Sequence, residues 1–308
     1  MATSIVRDPR FLNHIPDEDH PESSARLRGI DRALEHTRAE LQSITPRMAT
    51  REELERVHTA RYLDFFESKR GRAFAFDPDT LASEESIDIA ILAAGSTIEL
   101  FERIARKEAP PGIALVRPPG HHALPDRAMG FCLLNNVAIA ARALIADGLA
   151  ERIAIYDFDV HHGNGTQDIF YDDPSVMYAS THQWPFYPGT GAQGERGIGK
   201  AEGATVNVPL PEGTGDAVLL EVTKEVLIPK VEHFRPDMIL LSAGFDPFER
   251  DPIGGFRVTI DGFRALAGAW REAAERLTGG RIAAVLEGGY HIEGLGASVR
   301  AMLEDWSG

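Results

Sequence analysis

Hydrophobic positions along this chain fall into short runs and longer stripes. β-Branched or aliphatic runs occupy residues 113–116 (Ile-Ala-Leu-Val), 152–157 (Arg-Ile-Ala-Ile-Tyr-Asp) and 176–180 (Val-Met-Tyr-Ala-Ser). Further runs are 205–208 (Thr-Val-Asn-Val), 238–242 (Met-Ile-Leu-Leu-Ser) and 282–286 (Ile-Ala-Ala-Val-Leu), each ending in polar or glycine-containing sequence. Helical patterns fill most of the gaps, at 135–146, 216–234 and 259–277, and two more precede the first strand, at 24–36 and 51–68. Near-continuous apolar strands alternating with amphipathic helices predict a parallel sheet covered on both faces. The expected fold class is α/β: a three-layer, doubly wound parallel sheet forming one domain over 1–308, with ligands beyond the carboxyl ends of the strands.

Charge narrows the range of partners. The chain has 308 residues, 32 Lys plus Arg against 47 Asp plus Glu, and a formal net charge of −15. No cationic excess exists to displace counterions from a polyphosphate, so direct nucleic-acid binding is not expected, whereas a negative field favours cationic substrates. The single cysteine, Cys132, forbids an internal disulfide and a multi-thiolate zinc cluster, and its apolar neighbours read as a packed thiol. No N-terminal apolar run follows Met1, and the longest apolar stretch, 131–146, is interrupted by Asn135, Asn136 and Arg142. No membrane association and a cytoplasmic location are the expectation.

The polar residues at the strand ends carry the chemistry. Residues 117–122 read Arg-Pro-Pro-Gly-His-His, and 157–165 read Asp-Phe-Asp-Val-His-His-Gly-Asn-Gly. Ser-Ala-Gly-Phe-Asp closes the run ending at Asp246, and Glu-Gly-Gly-Tyr ends at Tyr290. Asp157, Asp159 and His161 have period two, so a continuing strand would point all three to one side. Two of these groups plus a distant carboxylate would make a three-ligand metal site with a vacancy for a reactive water. Nitrogen and hard oxygen without thiolate suit Zn²⁺, and also Fe²⁺ or Mn²⁺.

In this order the four motifs resemble the zinc-dependent histone deacetylase superfamily, nearest its class II-like bacterial amidohydrolases and acetylpolyamine amidohydrolases. The similarity runs from about His20 to the last helix. It implies an arginase-like α/β fold and a hydrolase that removes acetyl or acyl groups from N-acylated amines. By resemblance, Asp159, His161 and Asp246 are the metal ligands, His121 and His122 the tandem histidines, and Tyr290 the phenol that binds the substrate carbonyl. Asp157 accepts a hydrogen bond from His121. Asn164 stands where other members carry an aspartate that orients the second histidine, a departure shared by class II-like members. Gly130, Phe131 and Tyr187 match the walls of a substrate tunnel, to which Ile253 and Gly288 also belong. Asp157, Asp159, His161, Ser180 and Thr181 match a structural K⁺ site, and Phe170, Asp173 and Val176 a second one. Arg26 matches an internal arginine beneath the site, with product exit and a buried ion pair as its alternative roles. The acidic segment 17–19 matches a loop near the tunnel mouth.

The implied reaction is attack by metal-activated water on an amide, with His122 as base, a histidine as acid for the amine, and Tyr290 holding the oxyanion. Acetyl-lysine is the expected substrate class, because Ile253 is apolar where one polyamine-selective branch places an acidic gatekeeper; acetylpolyamines and other small N-acyl amines are the alternative. A two-manganese ureohydrolase and a silent acyl-lysine binding module are the competing functions. Gly189, Gly191 and Gly194 satisfy a dinucleotide pattern but follow no strand and open no apolar helix. His182 is expected to be either structural or a support for the site. The sequence leaves the native metal, the acyl length and the oligomeric state open.

Overall fold

The computed structural model describes residues 2–16 and 19–308. The expected acidic rim at Asp17 and Glu18 therefore lies outside the described residues. Among the described residues ten strands form: β1 (Ala2–Val6), β2 (Glu40–Ser43), β3 (Phe74–Ala75), β4 (Leu81–Ala82), β5 (Gly112–Ala114), β6 (Ile153–Asp157), β7 (Val176–Gln183), β8 (Thr205–Leu210), β9 (Met238–Ala243) and β10 (Ile282–Leu286). The helices are α1 (Ala25–Leu34), α2 (Arg51–Glu55), α3 (Ala60–Glu67), α4 (Ser86–Ala105), α5 (Asn136–Ala146), α6 (Asn164–Phe170), α7 (Asp216–Val222), α8 (Ile228–Phe234), α9 (Ile260–Thr278) and α10 (Ile292–Trp306).

Eight strands form one sheet in the order β2-β1-β5-β10-β9-β6-β7-β8, every pair parallel. Its central strands are apolar and buried on both faces, which is why they read as uninterrupted hydrophobic runs. One helical layer contains α4 and α5; the other contains α1, α10, α9 and the α7–α8 segment. The doubly wound expectation therefore holds. Among the described residues no helix is long and apolar enough to cross a membrane.

Five departures of the structure from the sequence reading each have a physical reason. β1 was not predicted, because buried Thr3 and Ser4 break its apolar run, and β2 was not, because it is an exposed edge of polar residues. α4 was missed because it is buried nearly all round and so lacks a 3.6-residue polar stripe. The pattern at 51–68 is two helices, since Thr59 caps α3 by accepting from Tyr62 N. The pattern at 216–234 is interrupted by a π-helical turn at Thr223–Leu227 ahead of Pro229.

Candidate metal centre and active site

Strands β5, β6, β9 and β10, which carry the four motifs, are neighbours in the sheet although they are scattered along the sequence. Their carboxyl ends therefore bring residues 117–122, 157–162, 246 and 287–290 to one rim. β6 ends at Asp157, so Asp159 and His161 lie beyond the ladder rather than in a continuing strand. Carboxylates shape that loop instead: Asp157 Oδ1 accepts from Asp159 N (3.1 Å), and Asp159 Oδ1 accepts from His161 N (2.9 Å). Phe158 and Val160 alternate into the core, so the expected segregation of faces survives the end of the strand.

Asp159, His161 and Asp246 converge, each offering a ligand atom within 4.8 Å of the others, and all three are buried. His161 Nδ1 lies 2.9 Å from Asp159 Oδ1 and 3.3 Å from Asp246 Oδ2. The remaining carboxylate positions are tied down: Asp246 Oδ1 accepts from Val160 N (2.9 Å), and Asp159 Oδ2 from Gly288 N (2.8 Å). Asp246 Oδ2 is different. It is buried and has no hydrogen-bond donor. An orphaned buried carboxylate oxygen costs several kcal/mol or thereabouts, about what a bound cation would offset. A Cβ on Gly288 would collide with the same oxygen and with Asp159 Oδ2, so residue 288 keeps the space clear. One nitrogen and two hard oxygens around an unsatisfied anion fit a divalent cation such as Zn²⁺ or Fe²⁺.

Electrostatics agree with a site awaiting positive charge. Burial and the Asp159 carboxylate push Asp246 up to about 7. Burial works against charge on His161, but its hydrogen bond to Asp159 and the nearby Asp246 carboxylate win and raise it to about 9.

The tandem histidines have unlike partners. His121 donates Nδ1–H to Asp157 Oδ2 (3.0 Å), which also accepts from Tyr178 Oη (3.2 Å). Burial opposes charge on His121, yet Asp159 and Asp157 outweigh it and raise it to about 10. His122 donates Nδ1–H to Asn164 Oδ1 (2.8 Å), leaving Nε2 with a lone pair. Burial, then His121 and His161, hold His122 well below the usual imidazole range. The pair thus supplies two different proton affinities side by side.

Aromatic rings surround this centre. Phe131 has a left-handed backbone (φ 67°) after Gly130 (φ 57°), and a Cβ on Gly130 would strike the His122 ring. The Phe131 ring meets His20 edge-on at 4.6 Å and Tyr290 at 6.0 Å. Tyr187 stands perpendicular to His122 (5.2 Å) and to His161 (6.0 Å). Ile253 is half-buried on the loop that follows Asp246. Burial raises the Tyr290 hydroxyl well above the usual phenol range, so it stays protonated despite the Arg26 guanidinium 5.1 Å from its ring centroid.

Arg26 is fully buried, bonded to Glu22 (2.9 Å) and donating Nε to Gly289 O (2.7 Å) and Nη2 to Glu287 O. The ion-pair alternative is therefore the observed one. Ser180 lies beside Asp157 in the β6–β7 register, with Thr181 next along β7. In the second expected cation group, Phe170 O and Asp173 O accept from Asp173 N and Val176 N, and the Asp173 carboxylate is held by Ser175 and Arg142. His182 is structural, joining Ser180 Oγ to Gly191 O at 2.9 Å each. The segment 189–194 opens no helix, in line with the rejection of a dinucleotide loop.

Several participants escaped sequence reasoning. Phe186 stacks on His161 at 5.1 Å. Glu22 accepts Arg117 Nε (2.5 Å) and Nη2 (2.6 Å), a contact between residues far apart in sequence. Glu287 was seen only as part of a motif; its Oε2 accepts from Gly120 N (2.6 Å) and His121 N (3.1 Å), bracing the histidine turn. On the β3–β4 hairpin, Thr80 Oγ1 accepts from Phe131 N (3.1 Å) and Asp79 O bonds His20 Nε2 (3.0 Å). Burial first, and then nearby charge that includes Asp79 and Asp77, pushes the Tyr187 hydroxyl above the usual phenol range. Cys132 joins His121 and Glu287 in a second group of metal-capable atoms. There the Glu287 oxygens and His121 Nδ1 are already bonded, and burial pushes the thiol well up, so the packed-thiol reading stands.

A family model described as "Histone deacetylase domain" matches residues 20–306. The chain is 43% identical over 298 residues to a "Probable deacetylase" of Archaeoglobus fulgidus, covering 96% of this chain and 83% of that protein. It is 38% identical over 307 residues to the "Histone deacetylase-like amidohydrolase" of Pseudomonas aeruginosa, covering 98% and 79%. The crystal structure of the HDA15 HD domain superposes with a TM-score of 0.93 at 38% identity, covering 99% of this chain and 90% of that one. A family model spanning nearly the whole sequence, and a solved relative with the same fold, agree with the motifs at the rim: this chain belongs to the histone deacetylase family.

Proposed function

We propose that the protein is a metal-dependent deacylase that hydrolyses the amide of an N-acylated amine, most simply acetyl-lysine. The observation that carries this reading is the juxtaposition of an unsatisfied Asp246 Oδ2, within the Asp159–His161–Asp246 group, with a neutral His122. Family membership and relatives named as deacetylases and an amidohydrolase support it.

In this reading Asp159, His161 and Asp246 hold one divalent ion, Zn²⁺ or alternatively Fe²⁺. The chemistry such an ion supplies is Lewis acidity, which makes water nucleophilic near neutral pH and polarises an amide carbonyl. His122 Nε2 takes the proton of the attacking water while Asn164 holds its Nδ1–H and fixes the ring. Tyr290 donates its hydroxyl hydrogen to the carbonyl oxygen as negative charge develops there, a donor of a kind worth about 10²–10³ in turnover. The C–N bond then breaks, and the amine leaves with the proton carried by the histidine pair. His121, held through Nδ1 by Asp157, lies beside His122 with ring centroids 4.0 Å apart and completes the pair.

Phe131 and Tyr187 are the aromatic flanks for the methylenes of the amine, with Gly130 and Gly288 leaving room and Ile253 at the entrance. K⁺ at Asp157, Asp159, His161, Ser180 and Thr181, and at Phe170, Asp173 and Val176, is part of this reading by family likeness. Asp77 and Asp79 supply the negative rim that a cationic amine requires. The test offers acetyl-lysine peptides, acetylputrescine and acetylspermidine to protein loaded separately with zinc and iron. Acetate release by the wild type, and its loss in Tyr290→Phe with metal content unchanged, is expected. Full activity in Tyr290→Phe would remove the oxyanion role.

A further inference from the structure

The Tyr290 loop has little of its own to hold it. Gly288 and Gly289 precede the tyrosine without side chains, and Gly289 adopts φ 119°, so any restraint must come from neighbouring segments. On the carbonyl side Arg26 provides one. On the amide side the donors are Tyr290 N and His291 N, which directly precede α10 and have no partner within that helix.

Both donate to a single oxygen, Asp251 Oδ2, at 2.7 and 3.1 Å. The other oxygen, Oδ1, accepts from Ile253 N (3.0 Å) and Gly254 N (3.3 Å). One carboxylate therefore receives four backbone N–H groups, two from each of two loops. Burial pushes Asp251 above the usual carboxylate range, while the four bonds and the amino end of α10 work against that rise. An asparagine does this job less well, since it offers one acceptor oxygen and its NH₂ would face two donors.

We propose that Asp251 is a positioning residue, clamping the backbone of Tyr290 to the loop that carries Ile253, so that the hydroxyl donor and the tunnel entrance move as one unit. This rests on the reading of Tyr290 as the carbonyl donor. A change at residue 253 would then be felt in turnover as well as in substrate choice.

Hydrogen exchange and kinetics on Asp251→Ala and Asp251→Asn test it, using the metal-loaded full chain. In Asp251→Ala the amides of Ile253, Gly254, Tyr290 and His291 should lose protection together, while those of β10 keep theirs. Asp251→Asn, the milder change, should release the pair in one loop only. Turnover should fall about 10²-fold in Asp251→Ala, the scale of a displaced catalytic group, with KM and metal content changed far less. In a Tyr290→Phe background the same substitution should cost almost nothing further, because the hydroxyl it positions is already absent. Unchanged exchange at Tyr290, or an undiminished loss in the Tyr290→Phe background, overturns the proposal. If the wild type released no acetate, the deacylase reading would fail while exchange still decided whether the clamp exists.

Discussion

His122 turns its Nδ1 to the amide oxygen of Asn164 at 2.8 Å, whereas the adjacent His121 turns the same atom to a carboxylate, that of Asp157, at 3.0 Å. Burial, then His121 and His161, keep the proton affinity of His122 low, and an amide fixes its tautomer without adding a negative charge to oppose them. Asn164→Asp should raise that affinity and move the acid limb of kcat/KM to higher pH by about one unit or more, as a new charge at contact distance does. A pH–rate profile of the two proteins checks it; coincident limbs would mean that His122 is not the group whose deprotonation the reaction needs.

Asp79 lies on the β3–β4 hairpin with its carbonyl bonded to His20, and in the proposed reading it and Asp77 supply negative charge near Tyr187. Asp79→Asn removes charge without volume. The expected result is a KM raised a few-fold for cationic amines at low salt, about 1 kcal/mol or less for a partly exposed pair, and little change for a neutral acyl amide. Titrating the effect with salt checks it: a penalty equal at low and high ionic strength would not be electrostatic.

Ile253 follows Asp246 by seven positions and is held by Asp251 Oδ1. Ile253→Glu places a carboxylate at the entrance and should shift the ratio of turnover from acetyl-lysine peptide towards acetylspermidine about tenfold, the value of roughly 1.4 kcal/mol of differential binding. Competition between the two substrates in one vessel reads that ratio directly. An unchanged ratio would take residue 253 out of the specificity account.

His58 donates Nδ1–H to Leu124 O and accepts from Asn135 N on Nε2, each at 3.0 Å, so both ring nitrogens are committed in the neutral form. Burial lowers it from 6.5 to about 4. Above pH 6.5 neither folded nor unfolded chain carries this proton. Between pH 6.5 and 4 only the unfolded chain takes it up, so stability falls as pH falls, by about 3 kcal/mol across the interval. Urea unfolding at pH 7 and 5 should show a smaller drop in His58→Gln than in the wild type. Equal drops would assign the acid sensitivity to other groups.

The sequence disclosed what rests on short spacing. Asp157, Asp159 and His161 sit two apart, and the rim motifs follow apolar runs that could become only buried strands. It hid what rests on long-range contact: Glu22 meets Arg117 across 95 positions and Asp251 meets Tyr290 across 39, with no local pattern to announce either. It also hid α4, whose burial on all sides erases the periodicity by which helices are read. The orphaned oxygen of Asp246 belongs to the same class, since satisfaction of a buried atom is a property of the fold and not of the residue.

The central claim is that Asp159, His161 and Asp246 hold a single divalent ion on which amide hydrolysis depends. The most direct measurement strips the protein with a chelator, returns zinc in fractions of an equivalent, and follows bound metal and acetate release together, alongside Asp246→Ala. The account predicts that activity vanishes on stripping, returns in proportion and saturates at about one ion per chain, with Asp246→Ala binding weakly and remaining inactive. Saturation at two ions, acetate release indifferent to the chelator, or stoichiometric tight binding by Asp246→Ala would contradict it.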